Sequence, residues 1–222
     1  MQFVYHPQAG VAVLNIDTRA YEHIFKVRRI SVGEKLFWRN LVDECLYEYQ
    51  ITHIGKKEAI LELNETRIMP IVPSKILHVG WSIIDPKIIE KSLPMLNELG
   101  VTSLTFFYAD FSQKQHKLDF ERMERILINS SQQCGRSNQM HIEYLPTLQH
   151  FIEKYPQSVV IDFSESVINS EKNIDSVIIG PEGGFSEKER LLFKKMVVFG
   201  LKCNTILRSE TAVIATVSKI LA

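Results

Sequence analysis

Two short segments in the C-terminal part of the chain combine residue types that can hold a ligand and act on it. The first, IIGPEGGFS at residues 178–186, contains three glycines, one proline and the carboxylate of Glu182. Glycine allows tight turns and close approach of the backbone to a ligand, and a following helix offers free backbone amides. A plain strand-to-helix turn is the simpler interpretation, but it needs only one glycine. Neither Gly-Lys-Ser/Thr nor GxGxxG is present, which argues against the common phosphate and dinucleotide loops.

The second segment, ILRSETA at residues 206–212, places polar side chains where a predicted strand leads into an apolar helix. Its functional interpretation is that the backbone and Thr211 hold a polar ligand while Arg208 meets an anion. The simpler interpretation is that Arg208 and Glu210 form an ion pair where the helix begins. Ser209 does not lie in a GxSxG sequence, so a serine hydrolase is not indicated.

Both segments follow predicted strands of an α/β domain. From about residue 74 the chain alternates between strands, such as ILHVGWSII and DSVIIG, and amphipathic helices. One helix is bounded by Asp85-Pro86 at its start and by Gly100 at its end. GLKCNTIL is the last predicted strand, and the last helix, about 210–221, is so apolar that it must be buried against its own sheet or a second subunit. The alternation predicts a parallel sheet whose carboxyl ends gather the ligand-binding loops.

Residues 1–72 have a different pattern, which predicts a small β-rich domain. LYEYQITHI and EAILELNET are predicted strands joined by a turn at residues 55–57, GEKLFWRN is another predicted strand, and YEHIFKVRRI is a candidate short helix. Several short strands favour a barrel or a sandwich. Pro70 and Pro73 mark the junction with the second domain, residues 73–222.

Composition narrows the classes of protein. Hydrophobic residues make up 45% of the chain, which is enough for a buried core, and the formal net charge is +0. The charge is uneven, because residues 15–40 hold six basic and three acidic residues, either a solvated face or a nucleic-acid contact. We expect no membrane span, no secretory signal and no metal site. Three cysteines without a CxxC pair favour a reducing, cytoplasmic location.

The two C-terminal segments together resemble the RsmE family of 16S ribosomal RNA uridine N3-methyltransferases, which belongs to the SPOUT superfamily. The resemblance extends over IIGPEGGFSEKE and ILRSETA. It also covers QQCGR at residues 132–136 and NELGV at residues 97–101. Near the N-terminus, the family pattern is matched by His23, Val27, Arg29 and Gly33. The matches occur in the family's order and span nearly the whole chain.

The resemblance implies a SPOUT-type α/β domain with a trefoil knot at residues 73–222 and a PUA-like β-barrel RNA-binding domain at residues 1–72. It also implies a homodimer, and S-adenosylmethionine bound in the knot largely by backbone groups. The implied reaction methylates N3 of a uridine in 16S ribosomal RNA of the small ribosomal subunit, without a metal. The implied cofactor-binding residues are Ile179, Gly180, Pro181, Glu182, Gly183, Gly184, Ile206, Leu207, Arg208 and Thr211.

Methylation at N3 requires removal of a proton from the uridine. A cation can stabilise the resulting anion, and a carboxylate or water can accept the proton. Arg136 and Arg208 are the candidate cations, and Glu182 and Glu210 are weaker candidates for the proton acceptor. The basic patch and a predicted helix supply the expected RNA phosphate contacts, which are Arg28, Arg29, Lys35, Arg39, Arg122 and Arg125.

Three places depart from the family pattern. After the strand TSLTFFYA the family commonly has an arginine, where this chain has DFSQ at residues 110–113. Arg28 stands at a usual leucine, and KCNT at residues 202–205 replaces a segment that more typically contains glycine or proline. The neighbouring aromatic residues are predicted to be core rather than base-stacking residues: Phe106, Phe107, Tyr108 and Phe111.

Other functions remain open at this point. A SPOUT methyltransferase acting on transfer RNA or on another RNA position would keep the same chemistry. A non-catalytic RNA-binding protein is disfavoured, because a binder need not keep both ligand segments. A small-molecule methyltransferase is disfavoured by the additional β-rich domain and its basic patch.

Overall fold

The computed structural model describes residues 2–16, 21, 24, 30–168 and 173–222. They form two compact units. The first consists of Met1–Val72 together with Ile128–Gln139, and the second consists of Pro73–Leu127 together with Met140–Ala222. Among the helices in these ranges, none has the length and apolar character needed to cross a membrane.

The first unit is built on one sheet with the strand order β1-β3-β4-β5-β2. Its strands are β1 (Val4–Tyr5), β2 (Val13–Ile16), β3 (Lys35–Arg39), β4 (Cys45–Ile54) and β5 (Ala59–Ile68). β1 pairs in parallel with β3, and the other neighbours are antiparallel. The predicted hairpin of β4 and β5 is confirmed, and its turn is closed by the Gly55 N–H, which donates to the Glu58 carbonyl at 2.8 Å.

The core of the first unit lies on one face of this sheet, where Trp38, Tyr49 and Leu61 are fully buried. Tyr49 also anchors the segment between β1 and β2. Its hydroxyl accepts from the Gly10 N–H at 2.8 Å and donates to the Val11 carbonyl at 2.6 Å. A buried tyrosine needs such partners, because an unpaired hydroxyl costs about 1–3 kcal/mol.

The second unit is a six-stranded parallel sheet, ordered β11-β9-β10-β6-β7-β8, as the alternating pattern predicts. Its strands are β6 (His78–Ser82), β7 (Ser103–Tyr108), β8 (His141–Thr147), β9 (Val159–Ile161), β10 (Ser176–Ile179) and β11 (Val198–Phe199). Its helices are α1 (Pro86–Leu99), α2 (Phe120–Cys134), α3 (Leu148–Lys154), α4 (Glu187–Leu192) and α5 (Ser209–Leu221), with α2 ending in the first unit.

The ends of α1 confirm the signals in the sequence. Asp85 accepts a hydrogen bond from the Lys87 N–H at 2.8 Å, and Pro86 occupies the first turn. Gly100 ends the helix with a φ of 98°, which is a left-handed conformation that glycine adopts without steric cost.

The predicted strand GLKCNTIL is wrong, because β11 ends at Phe199. β11 pairs with β9, which ends at Ile161. Beyond Gly200, the part of the chain that the structure describes offers no neighbouring strand, so residues 201–207 remain irregular. Of the two surfaces expected to bury the last helix, its own sheet or a second subunit, the structure shows packing against its own unit. α5 packs on α1 and β10 through buried Val213, Thr216, Val217 and Ile220.

A polar cluster is buried at the amino ends of the strands. His78, the first residue of β6, is 7% exposed. Its Nε2 lies 2.8 Å from the Thr105 hydroxyl, and its Nδ1 lies 3.4 Å from the Ser176 hydroxyl. The Thr105 hydroxyl also lies 3.3 Å from Glu143 Oε2. These contacts satisfy His78 on both ring nitrogens within an otherwise apolar region.

Candidate active site

A cavity of about 750 Å³ opens at the carboxyl ends of β9 and β10 in the second unit. This volume lies within the usual range for small-molecule sites. Three separate segments form its wall. They are residues 161–165, residues 179–185, and eight residues between 200 and 212, namely Gly200, Leu201, Cys203, Thr205, Ile206, Leu207, Ser209 and Ala212. Both ligand segments that the sequence indicates therefore border the same cavity.

Ser209 joins these two segments directly. The Trp81 indole N–H donates to the Ser209 hydroxyl at 2.8 Å, and that hydroxyl donates to the Gly180 carbonyl at 2.5 Å. Ser209 is 4% exposed and Trp81 is fully buried, so water does not replace these bonds. The central strand β6, the end of β10 and the start of α5 are thus held in one arrangement. The function of this serine is positional, which agrees with the absence of a nucleophile elbow.

The loop after β10 turns tightly at its glycine pair, Gly183-Gly184. The Gly184 N–H donates to the Pro181 carbonyl at 2.9 Å, and Gly184 has a φ of 69°. A residue with a Cβ adopts this conformation only with strain, so the turn explains the glycine at this position. At Gly180, Gly183 and Gly184 the loop can present only backbone to the cavity.

Another glycine, Gly200, permits two segments to run side by side at the cavity wall. The Gly200 N–H donates to the Ser166 carbonyl at 2.7 Å, and the Gly200 carbonyl accepts from the Ile168 N–H at 3.0 Å. A Cβ at position 200 would lie 2.3 Å from the Ser164 carbonyl oxygen. The backbones are therefore in contact, and no residue larger than glycine fits between them.

The cavity wall is acidic. It contains Asp162, Glu165 and Glu182 and, among the described residues, no lysine or arginine. Asp162 is paired with Arg190 through two hydrogen bonds of 2.8 and 3.2 Å, and this pairing raises the pKa of Arg190. Within the described ranges, Glu165 and Glu182 have no such partner. The wall therefore favours a positively charged ligand.

The start of α4 is tied to the end of β7. Ser186 and Glu189 form a capping box, with bonds of 2.9 Å from the Ser186 N–H to the carboxylate and 3.2 Å from the Glu189 N–H to the hydroxyl. The other oxygen of Glu189 accepts from the Asp110 N–H at 2.9 Å, and the Ser186 hydroxyl donates to the Asp110 carboxylate at 2.5 Å. Asp110, which departs from the family pattern, thus fastens the loop after β7 beside the cavity.

The comparison with known proteins agrees with this geometry. A family model described as RNA methyltransferase domain matches residues 72–221, and one described as RNA methyltransferase PUA domain matches residues 16–64. The chain is 42% identical to the ribosomal RNA small subunit methyltransferase E of Helicobacter pylori, with 98% of each chain covered. The chain belongs to the ribosomal RNA small subunit methyltransferase E family. A more distant member, from Aquifex aeolicus, is 28% identical and covers 87% of this chain and 88% of its own length.

Solved structures show the same fold as this family member. A methyltransferase from Legionella pneumophila, in complex with S-adenosylmethionine, has a TM-score of 0.84 at 23% identity and covers 98% of this chain and 96% of its own. The methyltransferase E of Neisseria gonorrhoeae, also bound to S-adenosylmethionine, has a TM-score of 0.80 at 20% identity, with 98% and 95% covered. The predicted fold, a PUA domain followed by a SPOUT-type α/β methyltransferase domain, is confirmed.

The predicted cofactor residues divide into two groups. Residues 179–184, Ile206 and Leu207 line the cavity, whereas Arg208 and Thr211 do not. On α5 the cavity-facing residues are Ser209 and Ala212, which are three apart and therefore share one face. The side chains of Arg208 and Thr211 are exposed, and their contact with the cofactor stays a prediction.

The charged candidates have separate environments. Arg208 and Glu210 form no ion pair, and Oε2 of Glu210 is buried without a hydrogen-bond partner in the described part of the chain. Glu182 lines the cavity and is exposed. Arg136 belongs to the first unit and is 3% exposed; its Nε donates to Asn138 Oδ1 at 2.7 Å. Burial lowers the pKa of Arg136 to about 10, so its guanidinium stays charged at neutral pH.

The residues predicted to contact RNA differ in their exposure and ion pairing. Arg28 and Arg29 lie outside the described residues. Lys35 is ion-paired with Glu48 at 2.7 Å, and Arg122 is ion-paired with Glu90 at 2.8 Å, so part of each charge is neutralised. Arg125 is exposed and has no ion-pair partner among the residues that the structure describes.

The predicted contact of Arg39 with an RNA phosphate is corrected by its burial. It is 1% exposed, and its guanidinium donates to the backbone carbonyls of Glu44 at 3.4 Å, Cys45 at 3.3 Å and Met69 at 2.8 Å. A buried guanidinium whose donors bind the chain's own carbonyls does not face a phosphate. Arg39 instead joins the strand β3 to the ends of β4 and β5.

One wall of the cavity and its central hydrogen bond have no clear signal in the sequence. Residues 162–165 follow the strand β9 and have no unusual composition, and their only signal is that they leave the carboxyl end of a parallel strand. Ser209 was considered only as a nucleophile. The prediction that the aromatic residues belong to the core is confirmed for Phe106 and Phe107, which are fully buried, and is wrong for Phe111, which is 56% exposed.

Proposed function

We propose that this protein transfers the methyl group of S-adenosylmethionine to N3 of a uridine in 16S ribosomal RNA of the small ribosomal subunit. The observation that carries the proposal is the acidic cavity whose two ligand segments are joined by the bond from Ser209 to Gly180. Family membership supports ribosomal RNA of the small subunit as the substrate, since the Helicobacter pylori relative is a ribosomal RNA small subunit methyltransferase. The uridine and its N3 position follow from the resemblance of the GPEGG and LRSETA segments.

S-adenosylmethionine fits the residues that form the cavity. Its sulfonium and ammonium groups are positive, and Glu165 and Glu182 supply unpaired carboxylates in a wall that contains no described basic residue. The backbone of residues 179–184, together with Ile206 and Leu207, would hold the ligand. When bound, the sulfonium supplies a methyl carbon that is already activated for transfer.

The chain's own contribution is chiefly alignment. Holding reactants in line is worth roughly 7–11 kcal/mol of barrier reduction in favourable cases. The Ser209 bridge fixes the loop that faces the ligand, and Gly184 permits the tight turn of that loop. N3 lies on the Watson–Crick edge, so the target uridine must be unpaired or turned out of its helix.

The proton on N3 requires an acceptor, and the resulting anion requires a cation. We assign the acceptor role to Glu182, because its exposed carboxylate lies in the cavity wall. Glu210 is the second candidate, since it follows Ser209 on α5. Arg208 is exposed without an ion-pair partner in the described residues, which suits a contact with the uridine anion. Arg136 is the other candidate cation.

The first domain, residues 1–72, is proposed to position the RNA. The match to an RNA methyltransferase PUA domain and the basic character of residues 15–40 support this role. Exposed Arg125 extends the set of candidate phosphate contacts. We also propose that the protein is a homodimer, which is supported by the family resemblance and by the exposed side chains of Phe163 and Ile206, both on the cavity wall.

Two measurements test the proposed function. Calorimetry with S-adenosylmethionine should show binding, and an absence of heat would favour a non-catalytic RNA-binding protein. Ribosomal RNA from cells that lack the gene should lose one N3-methyluridine from 16S RNA. If 16S RNA is unchanged and a methyl group is missing from transfer RNA, the substrate is transfer RNA instead. Among variants, Glu182→Gln should reduce turnover by more than it weakens donor binding, and Arg136→Ala and Arg208→Ala should reduce turnover with donor binding retained if they supply the cation.

A further inference from the structure

The loop after β7 holds one aromatic side chain in a fixed, exposed position. A turn at residues 109–112 is closed by the Ser112 N–H, which donates to the Ala109 carbonyl at 3.0 Å, and by the Ala109 N–H, which donates to the Ser112 hydroxyl at 3.1 Å. Asp110 is bound on both its backbone and its carboxylate by Glu189 and Ser186. The residue between these anchors is Phe111, and 56% of its surface is exposed.

Phe111 lies directly against the loop that walls the cavity. A Cβ built on Gly183 would lie 3.2 Å from the Phe111 Cβ and 3.4 Å from its Cδ2. Gly183 itself lines the cavity, so the phenyl ring stands at the edge of the site. No other aromatic ring packs on Phe111 within the described part of the chain. The ring therefore keeps a face that a planar group can cover.

The rest of this loop is basic. Lys114 and Lys117 are exposed and have no ion-pair partner in the described ranges. The single acid between residues 110 and 118 is Asp110, whose carboxylate already binds Ser186. The loop returns to its strand through the Tyr108 hydroxyl, which donates to the His116 carbonyl at 2.5 Å. An exposed aromatic ring followed by free lysines is the combination that binds single-stranded nucleic acid, with the base on the ring and phosphates on the ammonium groups.

We propose that the target uridine stacks on Phe111 at the edge of the cavity, while Lys114 and Lys117 bind the phosphates of the same RNA strand. This inference rests on the proposed function and names the residue that positions its substrate base. Stacking on a ring that is held against Gly183 keeps the extruded base beside the donor. Phe111 is a positioning residue, because it takes no part in bond making.

The test is steady-state methylation of small ribosomal subunits purified from cells that lack the gene. Base stacking on an aromatic side chain is worth enough to predict a loss of roughly 10-fold or more in kcat/KM for the subunits in Phe111→Ala. The affinity for S-adenosylmethionine, measured by calorimetry, should stay within about two-fold. Phe111→Trp should keep activity, whereas Phe111→Leu, which preserves apolar bulk without a ring, should resemble Phe111→Ala. Phe120→Ala, at another exposed phenylalanine, is the matched control and should behave as wild type.

Fluorescence of the Phe111→Trp variant gives a second readout that a merely structural role would not change. The natural residues Trp38 and Trp81 are fully buried, so the new indole provides the solvent-exposed emission. Its emission should be quenched by a single-stranded RNA containing the target uridine and should not be quenched by S-adenosylmethionine alone. Lys114→Ala with Lys117→Ala should weaken RNA binding and flatten its salt dependence.

The outcomes separate the two proposals. If the wild-type protein methylates no subunit RNA, the proposed function fails. If the wild type is active but Phe111→Leu matches it, or RNA leaves the new indole unquenched, the stacking inference is overturned and the proposed function stands. A parallel loss of donor affinity and of unfolding free energy in Phe111→Ala would likewise overturn the inference, because it would indicate that Phe111 only supports the Gly183 loop.

Discussion

The hydroxyl of Ser209 offers the sharpest test of how the cavity is built. Ser209→Ala removes one oxygen atom and, with it, the bond from the Trp81 indole and the bond to the Gly180 carbonyl. Alanine favours helices, and Ser209 is the first residue of α5, so the helix itself should persist. The change therefore acts on the connection between the two ligand segments.

The size of the effect follows from burial. The variant leaves the Trp81 N–H without a partner in a fully buried position, and it also frees the Gly180 carbonyl. An unsatisfied buried group costs about 1–3 kcal/mol. We expect the free energy of unfolding to fall by about 3 kcal/mol. In the variant, binding of the donor must also order the loop at Gly180. If this costs the free energy of one hydrogen bond, about 1.4 kcal/mol, donor binding should be roughly ten-fold weaker.

Urea unfolding and calorimetry with S-adenosylmethionine measure these two effects. Ser218→Ala, on the same helix but without a side-chain hydrogen bond in the described structure, is the control. In a double-mutant cycle with Trp81→Phe, the cost of Ser209→Ala should shrink by about 1 kcal/mol, because the indole donor is already absent. Wild-type donor affinity in Ser209→Ala, or additive effects in the cycle, would refute the assignment of this serine as the link between the segments.

Three further predictions concern the same unit. Burial lowers the pKa of His78 from 6.5 to about 4. Between these pH values the unfolded chain is protonated at His78 and the folded chain is not, so the free energy of unfolding, measured with urea, should fall by about 2 kcal/mol from pH 7 to pH 5. His78→Gln should abolish this dependence, and exposed His53→Gln should leave it. Gly200→Ala should destabilise by about 3 kcal/mol in thermal unfolding, because its Cβ meets the Ser164 carbonyl, whereas Gly55→Ala, where the nearest atom belongs to a flexible glutamate, should be mild. Glu189→Ala leaves the N–H groups of Asp110 and Ser186 without their acceptor and should lower the free energy of unfolding by about 2 kcal/mol, again measured by thermal unfolding. Glu187→Ala, at an exposed position, should have little effect. Equal effects of the two substitutions would contradict the role of the capping box.

The local signals of the sequence determined what could be predicted. The ends of α1 are encoded by Asp85, Pro86 and Gly100, each acting on its own turn, and they were predicted to the residue. The face that α5 turns to the cavity was not predicted, because it depends on how the helix packs against α1 and β10. That packing places Ser209 in the wall and Arg208 outside it.

Non-local features of the site escaped prediction for a different reason. Residues 162–165 become a wall only because Gly200, far along the chain, lets the two backbones touch. The role of Arg39 depends on the carbonyls at the ends of two other strands, and a basic residue in a basic stretch carries no sign of that. Composition indicates that a charged side chain is present, but only packing determines whether that side chain contacts solvent or other protein groups.

The three walls of the cavity lie within residues 161–212, and Ser209, which joins two of them, is hydrogen-bonded to Trp81 on β6, so the complete site requires the folded sheet of the second unit. A molecule that occupies it must therefore stabilise the native state of the whole unit, by about 2.7 kcal/mol at a concentration one hundred times its dissociation constant. Resistance to heat or to a protease, measured in a crude cell extract with and without added donor, would then rank substituted proteins by their ability to bind it. Variants could be sorted in this way before any of them is purified.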